Sequence, residues 1–391
     1  MRGRLVGNYF PRLGYVINSI ENFRNGKNLN EFFNIKFKFT IRKIIGDLKP
    51  KKPLPQLLAP MEIEIPSCDS CDKPALLEQA YSGRVLCGQH LVKSIRKKIA
   101  KELRKQLKLV KGEHTTIFVA ISGGKDSAVL LETLVDILGV RPDVTIIAGT
   151  VDEGIEGYRP PSMICAEELC QRLGIEFITV SYPELDFEEM DKVAELIPGM
   201  IKTNRNASRM PCSYCGVFRR QGINHLAKKV NADVMALGHN LDDMAQTVLM
   251  NMSNGDMERT LRLAPHTATP IDGLPPRIVP LRWIPEQEVH LYAVHKNLPM
   301  HHEECPHARG ALRWRHRDLV AQMEADVPGT RHGLLRMADN IKELRTQIVE
   351  LGGHESRPSP PISCPVCGSM TSNDQCKACE MREMVKQEME K

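Results

Sequence analysis

The sequence predicts an α/β protein, a doubly wound parallel sheet flanked by two small zinc-binding modules. Three observations carry that prediction. Between residues 115 and 252, short apolar strings alternate with helix-length segments, the pattern of parallel strands covered by helices on both faces. The first string runs directly into "ISGGKDS", residues 121–127, a glycine turn between strand and helix. Short ligand pairs occur near both ends, as CDSC with CGQH at 68–90 and CPVC with CKAC at 364–379, at metal-ligand spacing.

Bulk properties set the frame. A chain of 391 residues holds two or three domains. No run of 18 apolar residues occurs, so no transmembrane helix is expected. The net charge of +5 is uneven: residues 1–60 carry 12 Lys+Arg against 3 Asp+Glu, a net +9, which leaves −4 for the rest. Affinity for nucleic acid must therefore come from local patches. The 12 cysteines sit mostly in CxxC pairs, which in a reducing compartment read as metal sites. No secretory signal is evident, and a cytoplasmic location is expected.

The elements follow in order. Residues 1–60 are a basic extension that ends in a Pro-rich linker, expected to be poorly ordered. They are either a targeting or RNA-binding arm or an extension upstream of a true start at Met61. Residues 61–92 form the N-terminal zinc module. In the following stretch Val92, Ile95, Ile99, Leu103, Leu107 and Val110 recur at helical spacing, giving one apolar face. The other face is Lys and Arg with one acid, Glu102, and is either RNA-facing or simply solvated. "TTIFVAI" reads as a buried strand, with a helix over 126–138. "DVTIIAGTV" is a second strand with helix 160–173, and "IEFITVSY" a third. Helix 216–230 leads to a fourth strand, "ADVMALG", with helix 241–252 after it. Residues 93–290 make the catalytic domain and 291–355 its helical C-terminal part. "RIVPL" is a further strand, and 356–391 form the C-terminal zinc module. Cys165 and Cys170 read as core residues, and Met250, Met252 and Met257 as core or interface filler.

The glycine turn carries the chemistry. Gly123 and Gly124 let the backbone bend close to a ligand, and the exposed amides at a helix N-terminus favour an anion. Lys125 adds positive charge, and Ser122 and Ser127 can bond phosphate oxygens. Asp126 fits an anion site if Mg²⁺ intervenes. The spacing does not match a Walker A loop. Cys68, Cys71, Cys87 and His90 form one closed tetrahedral Zn²⁺ set, and Cys364, Cys367, Cys376 and Cys379 a second. Cys212 and Cys215, in "PCSYCGVFRR", have no partner pair nearby. With the distant Cys305 they make three thiolates, too few for a closed structural zinc site. Arg219 and Arg220, just after the pair, either bind phosphate, of a nucleotide or of a nucleic-acid backbone, or are surface charge.

SGGKDS resembles the PP-loop of the ATP-pyrophosphatase family, whose fold is of the adenine nucleotide alpha hydrolase type. "VDEGIEGYR" (151–159), "GHNLDDMAQTVLMN" (238–251) and "CSYCGVFRRQ" resemble further signatures of its tRNA 2-thiolation branch. The combination is most similar to the archaeal and eukaryotic cytoplasmic tRNA 2-thiouridine synthetase family, over about residues 68–380. The resemblance implies a tRNA sulfurtransferase that cleaves ATP to AMP and pyrophosphate and adenylates the uridine C2 oxygen, which sulfur then replaces. It points to wobble position 34, with position 54 or another PP-loop tRNA ligase as alternatives; a non-catalytic, zinc-stabilised tRNA-binding partner is a further one.

The same resemblance places ATP against residues 122–127, Val151, Asp152, Gly238 and Asp243. It gives Asp243 an acid/base or Mg²⁺ role near the uracil and sets Arg219 where related thiolases carry a catalytic Lys or Arg. It implies a [4Fe–4S] cluster on Cys212, Cys215 and Cys305 with one iron open to sulfide. A persulfide–disulfide mechanism, or a zinc completed by His301, His302 or His307, are the rival readings of those cysteines. Implied partners are tRNA, a ubiquitin-like sulfur-carrier protein or free sulfide, and a second copy or paralogous subunit.

Overall fold

The computed structural model describes residues 65–266, 273–308, 312–352 and 362–391. The basic extension lies outside them, and residues from Ile65 onward form a compact unit. Two hairpins come first, β1 (Ser67–Cys68) with β2 (Cys71–Pro74) and β3 (Leu77–Gln79) with β4 (Arg84–Leu86). Helix α1 (Gly88–Gln106) follows at once, with Cys87 as its N-cap. His90 thus lies in the first turn of α1, and a boundary at 92/93 falls inside a continuous helix. Leu91, Ile95, Ile99 and Leu103 are its buried face.

Two expectations for that stretch change. Val110 lies beyond the end of the helix and is exposed. Glu102 is not on the solvated face: it is buried and accepts from Gln106 (3.0 Å) and Lys105 (3.1 Å). The basic face is also partly used internally. Arg96 pairs with Glu132 (3.0 Å) and Lys98 with Glu288 (3.3 Å).

The sheet is built from β5 (Thr115–Ala120), β6 (Val144–Asp152), β7 (Glu176–Ser181), β8 (Val234–Ala236) and β9 (Arg277–Ile278) in the order β7-β6-β5-β8-β9, and every pairing is parallel. Helices α2 (Lys125–Leu138) and α3 (Arg159–Leu173) follow β5 and β6. Helices α4 (Met190–Thr203) and α5 (Pro211–Lys229) lie between β7 and β8. Side chains alternate along β5: Ile117 and Val119 join the core under α1, α2 and α3, while Phe118 joins Tyr214, Phe218 and Met235 on the opposite face. Both faces are covered, as a parallel sheet requires.

After β8 come α6 (Leu241–Ser253), α7 (Met257–Leu261) and, beyond β9, α8 (Glu286–His295), α9 (Leu312–Asp326) and α10 (Thr330–Glu350). A boundary at 290/291 therefore cuts α8. Strands β10 (Ile362–Ser363) and β11 (Met370–Thr371) and helix α11 (Lys377–Met389) carry the last cysteines. Cys170 is buried as expected. Met252 and Met257 are exposed, so they are not core filler; Met244 fills that place on α6. Among the described residues no helix is long and apolar enough to cross a membrane.

Strand order reverses at β5, since the chain builds outward through β6 and β7 and then returns to place β8 on the other side. Ligands of open α/β sheets bind at such a switch point, at the carboxyl ends of the strands. The segment after β5 is ISGGKDS, and the one after β8 is Gly238–Asn240.

Candidate active site

The glycine turn is locked by its own atoms. Gly123 has φ +82°, and a Cβ there would sit 1.9 Å from the Ser162 carbonyl oxygen, so only glycine fits. Ser127 Oγ accepts from the Ser122 N–H (3.1 Å) and donates to the Gly124 carbonyl (2.9 Å). Ser122 Oγ accepts from the Gly124 N–H (3.3 Å). Gly124 is the N-cap of α2, which leaves the turn's dipole pointing into the crevice. Gly238 closes the other wall, where a Cβ would stand 3.2 Å from the Ser127 nitrogen.

Charges converge there. Lys125 Nζ reaches Glu286 (2.8 Å) and Asp126 (3.1 Å). Burial alone would lower its pKa, but Asp126 and Glu286 outweigh burial and hold it charged. Burial pushes the Asp126 carboxyl up; Lys125 and Asn240 oppose this, and the nearby Asp243 adds to it. Asp126 at the loop is thus a carboxylate that could hold a hard divalent cation. Asn240 donates to Asp126 (2.8 Å) and caps α6, accepting from the Asp243 N–H (3.0 Å). Asp243 Oδ2 returns a bond to the Asn240 N–H (3.3 Å), and Oδ1 pairs with Arg313 (3.3 Å). Asp242 is a clamp instead: it accepts from the Glu286 N–H (2.7 Å) and pairs with Arg331 (2.7 Å).

Asp152 ends β6 and accepts from the Gly154 N–H (3.0 Å). Val151 is buried, and its carbonyl accepts from Arg159 Nε (3.0 Å). Neither role expected for them is visible in these bonds alone.

The central cysteines start a helix. Helix α5 begins at Pro211, not at 216, because proline is preorganised for the first helical position. Cys212 and Cys215 are thus three residues apart on one face of its first turn. Cys215 Sγ receives Arg219 Nη2 (3.1 Å) and the Tyr182 hydroxyl (3.7 Å). Cys212 Sγ lies 3.6 Å from the His307 carbonyl. Burial pushes the Cys212 and Cys305 thiols up; for Cys305 the His307 N–H opposes this, while Cys215 and Cys212 add to it. Cys305 packs against the apolar cluster that holds Cys215, and Cys212 reaches the carbonyl of His307, two residues after Cys305, so the three cysteines meet although Cys305 is 90 positions from Cys215 in sequence.

Segment 300–308 joins that pocket to the loop. The His301 N–H donates to the Gly123 carbonyl (2.8 Å), and His307 Nε2 bonds Asp191 (2.5 Å). That bond spends one ring nitrogen of a residue considered as a zinc ligand. Four ligand atoms do close within 4.8 Å at Cys68, Cys71, Cys87 and His90, and again at Cys364, Cys367, Cys376 and Cys379; among the described residues no other His, Cys, Asp and Glu group does so. Observed spacings of 3.3 to 3.7 Å in the first set match the edges of a tetrahedron with Zn–S bonds of about 2.3 Å. Three thiols spaced more widely than single-ion ligands, with an Arg and a Tyr donor aimed at one sulfur, fit a larger iron–sulfur group.

Sequence reasoning missed Glu153, which is buried between two arginines at 2.7 Å (Arg159 Nε) and 2.6 Å (Arg219 Nε). It follows Asp152 in the quoted motif, but one acid beside another carries no signal for burial. Burial alone would lower the Arg219 pKa; Glu153 and Cys215 override it, so the guanidinium is held charged above the sulfur. Glu286 and Arg313 were missed for the same reason, since their partners are remote in sequence.

Comparison with known proteins agrees with this geometry. A family model of the PP-loop domain matches residues 93–317. The tRNA 2-thiolation protein NcsA of Haloferax volcanii is 36% identical over 331 residues, covering 81% of this chain and 98% of that protein. Cytoplasmic tRNA 2-thiolation protein 1 of Bos taurus is 34% identical over 318 residues, covering 81% and 87%. A solved structure, the U34-tRNA thiolase NcsA from Methanococcus maripaludis with its [4Fe–4S] cluster, is similar with TM-score 0.65 and 30% identity, covering 81% of this chain and 96% of that one. With glycine loop, switch-point crevice and cysteine pocket in one place, the chain belongs to the PP-loop family, in its tRNA 2-thiolation branch.

Proposed function

We propose that this chain is an ATP-dependent tRNA 2-thiouridine synthetase acting on wobble uridine 34. One observation carries the reading: segment 300–308 bonds the Gly123 carbonyl at one end and, at the other, meets Cys212 through the His307 carbonyl and packs Cys305 against the cluster that holds Cys215. An ATP-activating loop and a sulfur-handling pocket therefore open on one crevice.

The chemistry follows from the poor electrophilicity of a uracil C2 carbonyl. The C2 oxygen attacks the α-phosphorus of ATP, the bond to the β-phosphate breaks, and pyrophosphate leaves. Lys125, the loop amides and the α2 dipole stabilise the departing charge, and Asp126 would hold a Mg²⁺ that adds positive charge there. Sulfur at the sulfide level then forms the C2–S bond, the C2–O bond breaks, AMP leaves, and the sulfur proton passes to solvent or Asp243. Cys212, Cys215 and Cys305 would hold a [4Fe–4S] group, which would supply the iron chemistry that handles sulfur at the sulfide level. Arg219, fixed by Glu153, keeps positive charge beside that pocket. The two Zn²⁺ modules are structural. The uridine must leave its stack to reach the crevice. Sulfur comes from a ubiquitin-like carrier thiocarboxylate or from free sulfide.

The test is anaerobic incubation of the iron-loaded chain with an unmodified tRNA transcript, MgATP and sulfide. Nucleoside mass spectrometry should find 2-thiouridine at position 34, with AMP and pyrophosphate formed in equal amounts. Turnover of ATP with a different base product would sink thiolation in favour of a ligase. No turnover by a fully loaded chain would favour a binding scaffold.

A further inference from the structure

The cations of the active site nearly all have partners: Lys125 has Glu286, Arg219 and Arg159 share Glu153, Arg313 has Asp243, and Arg331 has Asp242. Arg220 and Arg277 are different. Arg277 opens β9, the edge strand beside β8, and its Nη2 donates to Asn224 Oδ1 at 3.0 Å. Asn224 lies one helical turn after Arg220 on α5, so the two share a face and the Arg277 head is carried toward Arg220. No carboxylate of the described residues pairs with either of them. Among the described residues Arg220 makes no side-chain hydrogen bond or ion pair, and the side-chain partner of Arg277 is a neutral amide.

The electrostatics agree with that geometry. Burial lowers the Arg277 pKa, and the charge of Arg220 lowers it further. Burial lowers that of Arg220 and Arg219 adds to it, with Tyr182 and Cys215 opposing. His239, at the end of β8, is lowered by burial and by Arg313, Arg277 and Arg220, with Asp243 opposing. Arg220 is exposed and Arg277 half-buried, so an anion can reach both heads from solvent without displacing a protein carboxylate.

We propose that Arg220 and Arg277 bind the phosphodiester backbone of tRNA next to the target uridine. This rests on the tRNA reading above. The phosphates of ATP already have the glycine turn and Lys125. The face of α5 continues outward from Arg220 through Asn224 to Lys228, which is exposed. That is eight residues, about 12 Å along the helix. Asn224 and Lys228 also line a cavity of about 220 Å³ that reaches Arg382 on α11. A basic line leaving the crevice suits a polynucleotide rather than a single nucleotide.

The test is the salt dependence of unmodified tRNA binding to the metal-loaded chain, beside a separate titration with MgATP. Arg220→Ala and Arg277→Ala should each lower the slope of log K against log salt by about 0.7–0.9, and weaken binding about fourfold at 0.15 M salt. Arg277→Lys should keep the wild-type slope, and ATP affinity should not change in any variant. Should Arg277→Ala fail to fold, Arg220→Ala still decides, because that side chain has no protein partner to lose. An unchanged slope in Arg220→Ala overturns the proposal. So does a loss of ATP affinity with the tRNA slope intact, which would assign the site to an ATP phosphate. The two readings fail separately. Wild type that binds tRNA with an Arg220-sensitive slope but makes no 2-thiouridine breaks the thiolation reading alone. Wild type that thiolates, with both variants unchanged in slope, breaks the backbone site alone.

Discussion

At each terminal module four ligand atoms lie within 4.8 Å of one another, whereas Cys212, Cys215 and Cys305 reach one pocket from two distant segments without closing to that spacing. The terminal sets are local products. A short hairpin and a helix start, or two short strands and a helix start, supply all four ligands within 25 residues. Local backbone also prepares the sulfurs. Burial pushes the Cys68 thiol up, but backbone hydrogen bonds from Cys87 and Ser70 bring it down to about 6; Cys364, bonded by Cys376, Cys367 and Val366, likewise falls to about 6. That lowering reaches one sulfur of each terminal set, since Cys71, Cys376 and Cys379 beside them are raised; in the central pocket burial prevails and raises both Cys212 and Cys305. Helix α5, the His301 tie to Gly123 and the His307–Asp191 bond hold that pocket together. A closed site can form with its module, while an open one depends on the whole domain.

The largest expected effect tests that contrast directly. Cys305→Ala should take iron to background after anaerobic reconstitution and abolish 2-thiouridine, while zinc stays at two per chain by elemental analysis. Iron retained at the wild-type level would break the three-cysteine assignment. Zinc found in place of iron in the wild type would overturn the cluster altogether.

The same contrast explains what could be read from the sequence. The zinc sets and the glycine turn are contiguous motifs, and their ligands stand where spacing put them. The sheet was legible because β5 and β6 are long apolar runs. Helix α4 went unread although Met190, Val193, Ile197 and Met200 recur at helical spacing and form its buried face; Pro198, which sits within the helix, masks that signal. Glu153, Glu286 and Arg313 gain their roles from partners 66 to 161 positions away, and no periodicity encodes such pairing. Glu102 was misread because its acceptor bonds to Gln106 and Lys105, not its charge, decide where it sits.

A smaller effect is expected at Glu153, the carboxylate behind the open site. Its side chain is 4% exposed and paired with an equally buried Arg159 as well as with Arg219. Removing one partner of a buried pair strands the other, at a cost of about 3 kcal/mol. Urea unfolding of the metal-loaded Glu153→Ala protein should show that loss. With Arg219 no longer held over Cys215, the cluster's reduction potential should also move. Unchanged stability would mean that Arg159 is satisfied by the Val151 and Ser122 carbonyls and the Ser162 and Thr150 hydroxyls.

The smallest effect concerns the contact between a closed site and the open one. Gln221, on the cysteine-bearing helix α5, approaches Cys376 Sγ with its Nε2 (3.6 Å) and accepts from Ser369 Oγ (3.1 Å). A neutral side-chain bond of this kind contributes about 1 kcal/mol, which corresponds to about a fivefold change in an equilibrium. If the terminal module is self-sufficient and merely docked, Gln221→Ala should speed release of one zinc to a chelator by about that factor and leave iron content untouched. If instead iron falls while both zincs hold, the direction of support is reversed: the module would be positioning α5, and the open pocket would owe its geometry to the closed one.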